Sequence, residues 1–121
     1  MSALFHCVVP GKPVPQGRMR HTRTGTARGY STKSQAHRKM LVATFGYLHR
    51  IPRPIDQPVS VLVEIAGAHG ASDCDNHGKQ VLDALVSAEV LAKDSVMVVR
   101  ELVVRVVDGE PRTAVTITAH G

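Results

Sequence analysis

The first 55 residues contain no acidic side chain, although they hold ten of the chain's 15 Lys and Arg residues. All ten Asp and Glu residues follow in 56–121, and the formal net charge is +5. Eight of the basic residues fall between Lys12 and Lys39, a density that can neutralise several phosphates. A solvated basic loop is the simpler alternative. The segregation of charge favours a polyanionic partner, and nucleic acid is the expected one.

Aromatic residues and cysteines are also scarce. The chain has no Trp, two Tyr and two Phe, which argues against a stacking platform for single-stranded nucleic acid. No stretch approaches the roughly 18 apolar residues needed to cross a membrane, and residues 1–9 lack the basic region of a signal peptide. Cys7 and Cys74 are expected to be free thiols. We therefore expect a cytoplasmic protein with no membrane partner and no nucleotide cofactor.

The hydrophobic pattern predicts strands at 3–9, 59–66, 98–107 and 113–118 and helices at 34–50 and 76–88. Residues 11–32 are predicted to form a long loop, of a kind that is usually functional or disordered, and 108–111 to form the turn of a β-hairpin. Met40, Leu41, Phe45 and Leu48 stand at roughly helical spacing in the first helix, and the second helix is expected to bury Val81, Leu82, Leu85 and Val86. The order of elements predicts an α/β (α+β) fold, in which two main helices pack against a mixed sheet within one domain, 1–121.

Acidic residues cluster around the second helix. Asp73 and Asp75 stand between a strand and the helix start, and Asp94 follows the same helix. Grouping three carboxylates without a cation is costly because like charges raise one another's pKa, and their oxygens suit Mg²⁺ or Mn²⁺. Ser72-x-x-Asp75 also matches a helix-capping box, which explains one carboxylate but not three. Spacing alone leaves a metal site and helix capping about equally favoured.

Two other metal motifs are incomplete. Asp73-x-Asp75-x-His77-Gly78 imitates the start of an EF-hand loop, but Ala84 stands where the bidentate Glu is needed. Cys74-x-x-His77, with His69 or Cys7, suggests zinc but lacks a second pair at zinc-finger spacing. We expect neither calcium nor zinc.

Lys79 lies one helical turn beyond Asp75 and one turn before Asp83. It could form an exposed i,i+4 pair with Asp83, which contributes about 0.3–0.5 kcal/mol. It could instead stabilise charge that builds on a phosphate during nucleophilic attack. Local spacing does not separate these two roles.

Taken together, these stretches resemble the RusA family of Holliday junction resolvases. The acidic stretch Asp73-Cys-Asp75-Asn76-His-Gly-Lys79-Gln-Val-Leu82-Asp83-Ala84-Leu85 is similar to the family pattern D-x-D-N-x-x-K-x-x-L-D-A-L. Lys93-Asp94-Ser95 follows about where that family has an acidic pair opening a strand. The N-terminal stretch Gly11-Lys-Pro13-Val-Pro15-Gln-Gly17-Arg18-Met-Arg20 resembles the family's basic motif, G-x-P-x-x-K-x-R-P-R.

The resemblance implies that Asp73, Asp75 and Asp94 bind Mg²⁺, for which Mn²⁺ can substitute, and that Lys79 is catalytic. Asn76 and Asp83 match family positions, and whether they support the metal site or the fold stays open. The DNA backbone is expected to follow the basic stretch, with contacts from Lys12, Arg18, Arg20, Arg23, Arg28 and Lys33. Four positions depart from the family pattern: Gln16, Met19, Lys93 and Val96.

The activity implied by the resemblance is magnesium-dependent cleavage of four-way DNA junctions by paired symmetric nicks, in DNA recombination and repair. A two-fold junction matches a homodimer with two active sites. The setting would be a bacterial or phage-infected cell. Two alternatives belong to other classes: a less selective magnesium-dependent nuclease that cuts flaps or duplex, and a DNA-binding module without catalysis.

Overall fold

The computed structural model describes residues 3–16, 20–21, 27–29, 32–49 and 52–121. Its elements, in chain order, are β1 Phe5–Pro10, β2 Arg20–His21, β3 Ala27–Gly29, α1 Thr32–Leu48, β4 Val59–Ala66, α2 Cys74–Ser87, β5 Val99–Val106 and β6 Arg112–Ala119. The predicted strands and helices are confirmed: β4 has its predicted bounds, and the ends of the other elements are displaced by one or two residues. In the described part of the predicted loop at 11–32, β2 and β3 form a short antiparallel pair.

Four strands form the main sheet in the order β1-β6-β4-β5. β4 pairs parallel with β5 and antiparallel with β6, and β6 pairs antiparallel with β1, so the sheet is mixed as predicted. Alternate residues of β4, from Val59 to Ile65, are buried and face the helices. This period of two, filled with β-branched residues, is the pattern of a strand with one covered face. The two helices and the sheet make an α+β domain.

The predicted hairpin at 108–111 is wrong, because β5 and β6 are not neighbours. β4 lies between them, so the connection crosses the end of β4. It passes over Gly67, where an added Cβ would stand 2.8 Å from Pro111 Cγ. Gly67 also has a φ of +76°, which L side chains rarely adopt. The turn residues do mark a bend, but a five-residue connection is long enough to step across one strand.

The core lies between the sheet and the two helices. Leu41 and Phe45 of α1 are fully buried, and Phe45 packs edge-on against Phe5 of β1 with ring centroids 5.9 Å apart. The other two apolar residues at this helical spacing, Met40 and Leu48, are exposed. On α2, Val81 and Leu85 are buried and Leu82 and Val86 are partly buried against the core.

The direction of α2 determines where the acidic residues lie. Because β4 and β5 run parallel, the intervening helix must return along the sheet in the opposite direction. At 1.5 Å per residue, the 14 residues of α2 span roughly 20 Å. The start of α2 therefore lies beside the carboxyl ends of β4 and β5, and its end lies beside their amino ends. Among the residues described, no helix is long and apolar enough to cross a membrane.

Candidate active site

A hydrogen-bonded turn after β4 positions the start of α2. The Ser72 N–H and hydroxyl both donate to the His69 carbonyl, at 3.0 and 2.6 Å, and the Ala71 N–H donates to His69 Nδ1 at 3.1 Å. Because the Ser72 hydroxyl proton is engaged, its oxygen accepts from Nε2 of the buried His77 at 2.8 Å. Burial lowers the pKa of His77 and so favours this neutral ring. The turn delivers Asp73 to the helix start.

The helix-capping explanation of the acidic residues fails at this turn. Asp73, not Ser72, occupies the N-cap position, and no side-chain capping hydrogen bond forms there. Asp75 lies in the first turn, and the Asp73 carboxylate accepts from Asn76 Nδ2 at 3.5 Å. Asp73 and Asp75 are both exposed. The capping box predicted from Ser72-x-x-Asp75 is therefore not formed, and both carboxylates are exposed at the helix start.

Lys79 is exposed one turn further along α2. In the part of the chain that the structure describes, it forms no ion pair with Asp83. The Asp83 carboxylate instead contacts Arg38 at 3.5 Å and Gln16 at 2.5 Å. The surface-pair interpretation of Lys79 is thus wrong, and its ammonium group is available to a ligand.

Asp94 lies far from the other two aspartates. It follows α2, close to the bridge between Ile55 and Leu91 at the amino ends of β4 and β5. The length of α2 separates it from Asp73 by roughly 20 Å. Among the described residues, no three His, Cys, Asp or Glu side chains are placed to hold a metal ion. One chain alone therefore does not bring the three aspartates together.

Among the described residues, the fold does not complete the zinc motif or the calcium motif. Cys74, His77 and His69 line one small cavity of about 150 Å³, but the described residues offer no complete ligand set there. Cys7 is buried on β1, where burial raises its thiol pKa. Both cysteines are free thiols, as predicted.

Two of the basic residues from the sequence prediction meet beside the His69 turn. Lys12 and Lys33, both exposed, line a cavity of about 260 Å³ together with His69 and the stretch 13–15. Because His69 Nδ1 accepts the Ala71 N–H, a neutral ring carries its proton on Nε2 and can donate from there. Sequence reasoning considered His69 only as a zinc ligand. Its position next to two lysines is a tertiary contact that spacing does not reveal.

The remaining basic positions are less fully described. Arg20 lies on β2 and Arg28 on β3. Arg18 and Arg23 lie outside the described residues.

Gly78 explains how α2 approaches the sheet, and the sequence prediction missed this role. A Cβ at Gly78 would stand 2.9 Å from Val104 Cγ2 and 3.3 Å from Leu102 Cδ2, both on β5. The absence of a side chain lets the first half of α2 pack closely on the edge strand. A buried glycine inside an amphipathic helix was the available signal.

Two carboxylates at a helix start, an exposed lysine one turn on and lysines beside the preceding turn are residue types that a nuclease uses on a phosphodiester. The comparison with protein families is specific: the model of the endodeoxyribonuclease RusA family matches residues 10–118. The chain belongs to the RusA family and is a DNA endonuclease, of a family that resolves Holliday junctions. A search of curated proteins finds no match.

Proposed function

We propose that this protein is a magnesium-dependent, homodimeric resolvase that cleaves four-way DNA junctions by paired nicks in recombination and repair. The observation that carries the proposal is the pair Asp73 and Asp75, which stand exposed at a helix start where no side-chain capping hydrogen bond forms. Family membership gives the reaction class, which is hydrolysis of a DNA phosphodiester bond.

The donor set fits a hard divalent cation. Carboxylate oxygens are the ligands that Mg²⁺ prefers, and Mn²⁺ accepts the same set. Asp73, Asp75 and Asp94 would hold the ion, and Asn76 would orient the Asp73 carboxylate through its hydrogen bond. When bound, the ion supplies Lewis-acid polarisation of the phosphate and lowers the pKa of a water.

The chain itself supplies a cation for the reaction. Lys79 lies on the first two turns of α2, where the helix dipole already favours an anion. Its ammonium group would contact the non-bridging oxygens of the scissile phosphate and stabilise the negative charge that builds there. The His69 turn, with Lys12 and Lys33, would bind a neighbouring phosphate and fix the register of the strand.

A second copy of the chain is the proposed source of Asp94. Two-fold dimers are self-complementary, so a strand on the axis pairs antiparallel with its own copy. β5 is an edge of the four-stranded sheet. Antiparallel pairing of two β5 strands would place the start of one, after Asp94, beside the end of the other, near Asp73. Each site would then combine Asp73 and Asp75 of one protomer with Asp94 of its partner.

Exposed apolar side chains support this use of β5. Val96 and Met97 are 79% and 66% exposed just before the strand, and Val106 is 69% exposed at its end. A long edge strand flanked by exposed apolar residues is a template for pairing with another chain unless it is covered. The same contact would cover the edge and complete the metal site.

The decisive experiment compares cleavage of a four-way junction and of a linear duplex of equal length. With Mg²⁺ we expect two symmetric nicks in the junction, little cutting of the duplex, and no cutting of either after EDTA treatment. Equal cutting of both substrates would favour the less selective nuclease. Tight junction binding without any cutting, in Mg²⁺ or Mn²⁺, would favour the binding module.

A further inference from the structure

Asp83 joins the catalytic helix to two other parts of the molecule. Its Oδ2 accepts a hydrogen bond from Gln16 Nε2 at 2.5 Å, and Arg38 of α1 lies 3.5 Å from the same oxygen. The Asp83 and Arg38 side chains are 36% and 26% exposed, so the contact is partly withdrawn from solvent. One carboxylate oxygen therefore connects α2, α1 and the segment 11–16.

Two hydrogen bonds of Gln16, to different turns of α2, hold segment 11–16 on that helix. The Gln16 N–H donates to the Asn76 carbonyl at 3.0 Å, in the first turn, and the Gln16 side chain reaches Asp83 two turns later. Lys79 lies between these two contacts on the helix. The opposite end of the segment is held by the Gly11 N–H, which donates to the Pro111 carbonyl at 3.0 Å.

A second link holds α1 beside the same stretch of helix. Arg38 Nε donates to Gln80 Oε1 at 3.2 Å, and Gln80 Nε2 donates to the Ser34 carbonyl at 2.8 Å. Gln80 is buried, so this link lies between the two helices. Lys33 is the neighbour of Ser34 at the start of α1. The position of Lys33 thus depends on the packing that Arg38 and Asp83 share.

We propose that Asp83 is a positioning residue for DNA binding, which holds segment 11–16 and α1 so that Lys12 and Lys33 present their charges beside the turn that precedes α2. The inference rests on the proposed function, since it assigns a role in junction binding. The sequence left open whether Asp83 supports the metal site or the fold. On this proposal Asp83 acts through the residues that it contacts and not on the metal.

The direction in which Kd changes when Asp83 is substituted distinguishes a positioning role from a purely electrostatic one. Asp83 is an anion on the side of the molecule that we propose meets DNA, so removing its charge should strengthen phosphate binding by electrostatics alone. Loss of a positioning contact should weaken binding instead, because the lysines no longer bind phosphates together. The two mechanisms predict opposite changes in Kd.

The test measures Kd for a four-way junction in EDTA, over a range of salt, for Asp83→Asn and Asp83→Glu. Glu64→Gln is the matched control: it removes one carboxylate from the sheet face opposite the helices, where Glu64 pairs with Arg105 at 3.8 Å. We expect Asp83→Asn to raise Kd about tenfold and to flatten the log Kd–log salt slope by about 1 to 2. Asp83→Glu, which keeps the negative charge that pairs with Arg38, should recover part of both.

A junction affinity of Asp83→Asn that equals or exceeds that of Glu64→Gln would overturn the proposal. A second measurement needs no DNA: amide hydrogen exchange of segment 11–16 in the free protein should be faster in Asp83→Asn and unchanged in Glu64→Gln. Unchanged exchange in Asp83→Asn would also overturn it. If exchange is faster in Asp83→Asn but the wild-type protein binds no junction, the proposed function is contradicted while the tether itself is established.

Discussion

The two ends of α2 differ in what surrounds them. The first end carries Asp73, Asp75 and Lys79 and follows the His69 turn, and His69 lines a cavity together with two lysines. The other end leads to Asp94, which stands among exposed apolar residues, and none of the described groups of the proposed site lies near it. Residues that belong to one motif in the sequence can thus lie at opposite ends of a helix. The proposed site at the start of α2 therefore lacks one carboxylate, and it becomes complete only if a second chain supplies Asp94.

Removal of a proposed metal ligand at the first end should have the largest effect. We expect Asp75→Asn to reduce junction cleavage about a thousandfold or more, because the metal's stabilisation of several kcal/mol would be lost. Junction affinity in EDTA should be retained or slightly increased, since the basic residues remain. Single-turnover cleavage and gel-shift titration measure the two quantities. Cleavage at the wild-type rate would remove Asp75 from the ligand set.

Mixing two inactive variants should restore activity if the site is shared. Asp75→Asn and Asp94→Asn chains, each inactive alone, would form heterodimers in which one site has all three aspartates and the other lacks two. If half of the dimers are heterodimers, about a quarter of the sites are intact by the two-fold geometry. Chains mixed, unfolded and refolded together should therefore nick junctions on one strand only.

The same mixture distinguishes the two arrangements of the site. A site contained within one chain would be broken in both variants, and no mixing ratio could restore cleavage. Co-refolding each variant with itself provides the control.

Lys79 should have the next largest effect. Lys79→Ala removes the cation that we propose stabilises the negative charge of the transition state. The substitution should reduce the single-turnover rate about a hundredfold. Because Lys79 has no ion pair among the described residues, the melting temperature of the variant should barely change. Lys79→Arg should recover part of the rate. A lower melting temperature with a nearly normal rate would assign Lys79 to the fold.

Local patterns predict most of the fold. The period of two in β4 and the amphipathic period of α2 indicate the elements and most of the buried positions, because burial of one face imposes those periods. The predicted hairpin between β5 and β6 is wrong because turn residues report that the chain bends and not which strand it pairs with. The spacing of apolar residues in α1 indicates a helix but not which of these residues are buried: Leu41 and Phe45 are buried and Met40 is exposed.

The sequence predicts which residues belong to the candidate site but not how the fold arranges them. Spacing places Asp75 and Lys79 on consecutive turns, which the helix confirms. It cannot show that Asp94 lies at the far end, since that depends on the direction of α2 between two parallel strands. The contact of Asp83 with Gln16 joins residues 67 positions apart, and no local pattern encodes it.

The basic cavity should contribute a smaller, salt-dependent effect. Lys12→Ala combined with Lys33→Ala should flatten the log–log salt dependence of junction binding by about 2, since each phosphate that is no longer neutralised changes the slope by about 0.9. Cleavage at saturating enzyme should change little, because neither lysine is assigned to the reacting phosphate. Arg105→Gln, on the opposite sheet face, is the control. An unchanged slope would place this cavity outside the DNA interface.

The smallest expected effect concerns stability at acidic pH. Burial lowers the pKa of His37 and His77 below the ordinary value of 6.5, so both rings stay neutral in the folded chain at a pH where the unfolded chain binds protons. Stability is then full above about pH 6.5 and is lost as the pH falls through the lowered folded pKa values, by at most about 1.4 kcal/mol per pH unit for each ring.

His37 Nδ1 has no hydrogen-bond partner among the described residues, so His37→Leu removes the protonation linkage without breaking a bond there. Urea midpoints at pH 7.5, 6.5 and 5.5, measured in EDTA, should fall less steeply with acid in His37→Leu than in the wild type. A His37→Leu curve parallel to that of the wild type would show that His37 is protonated equally in the two states.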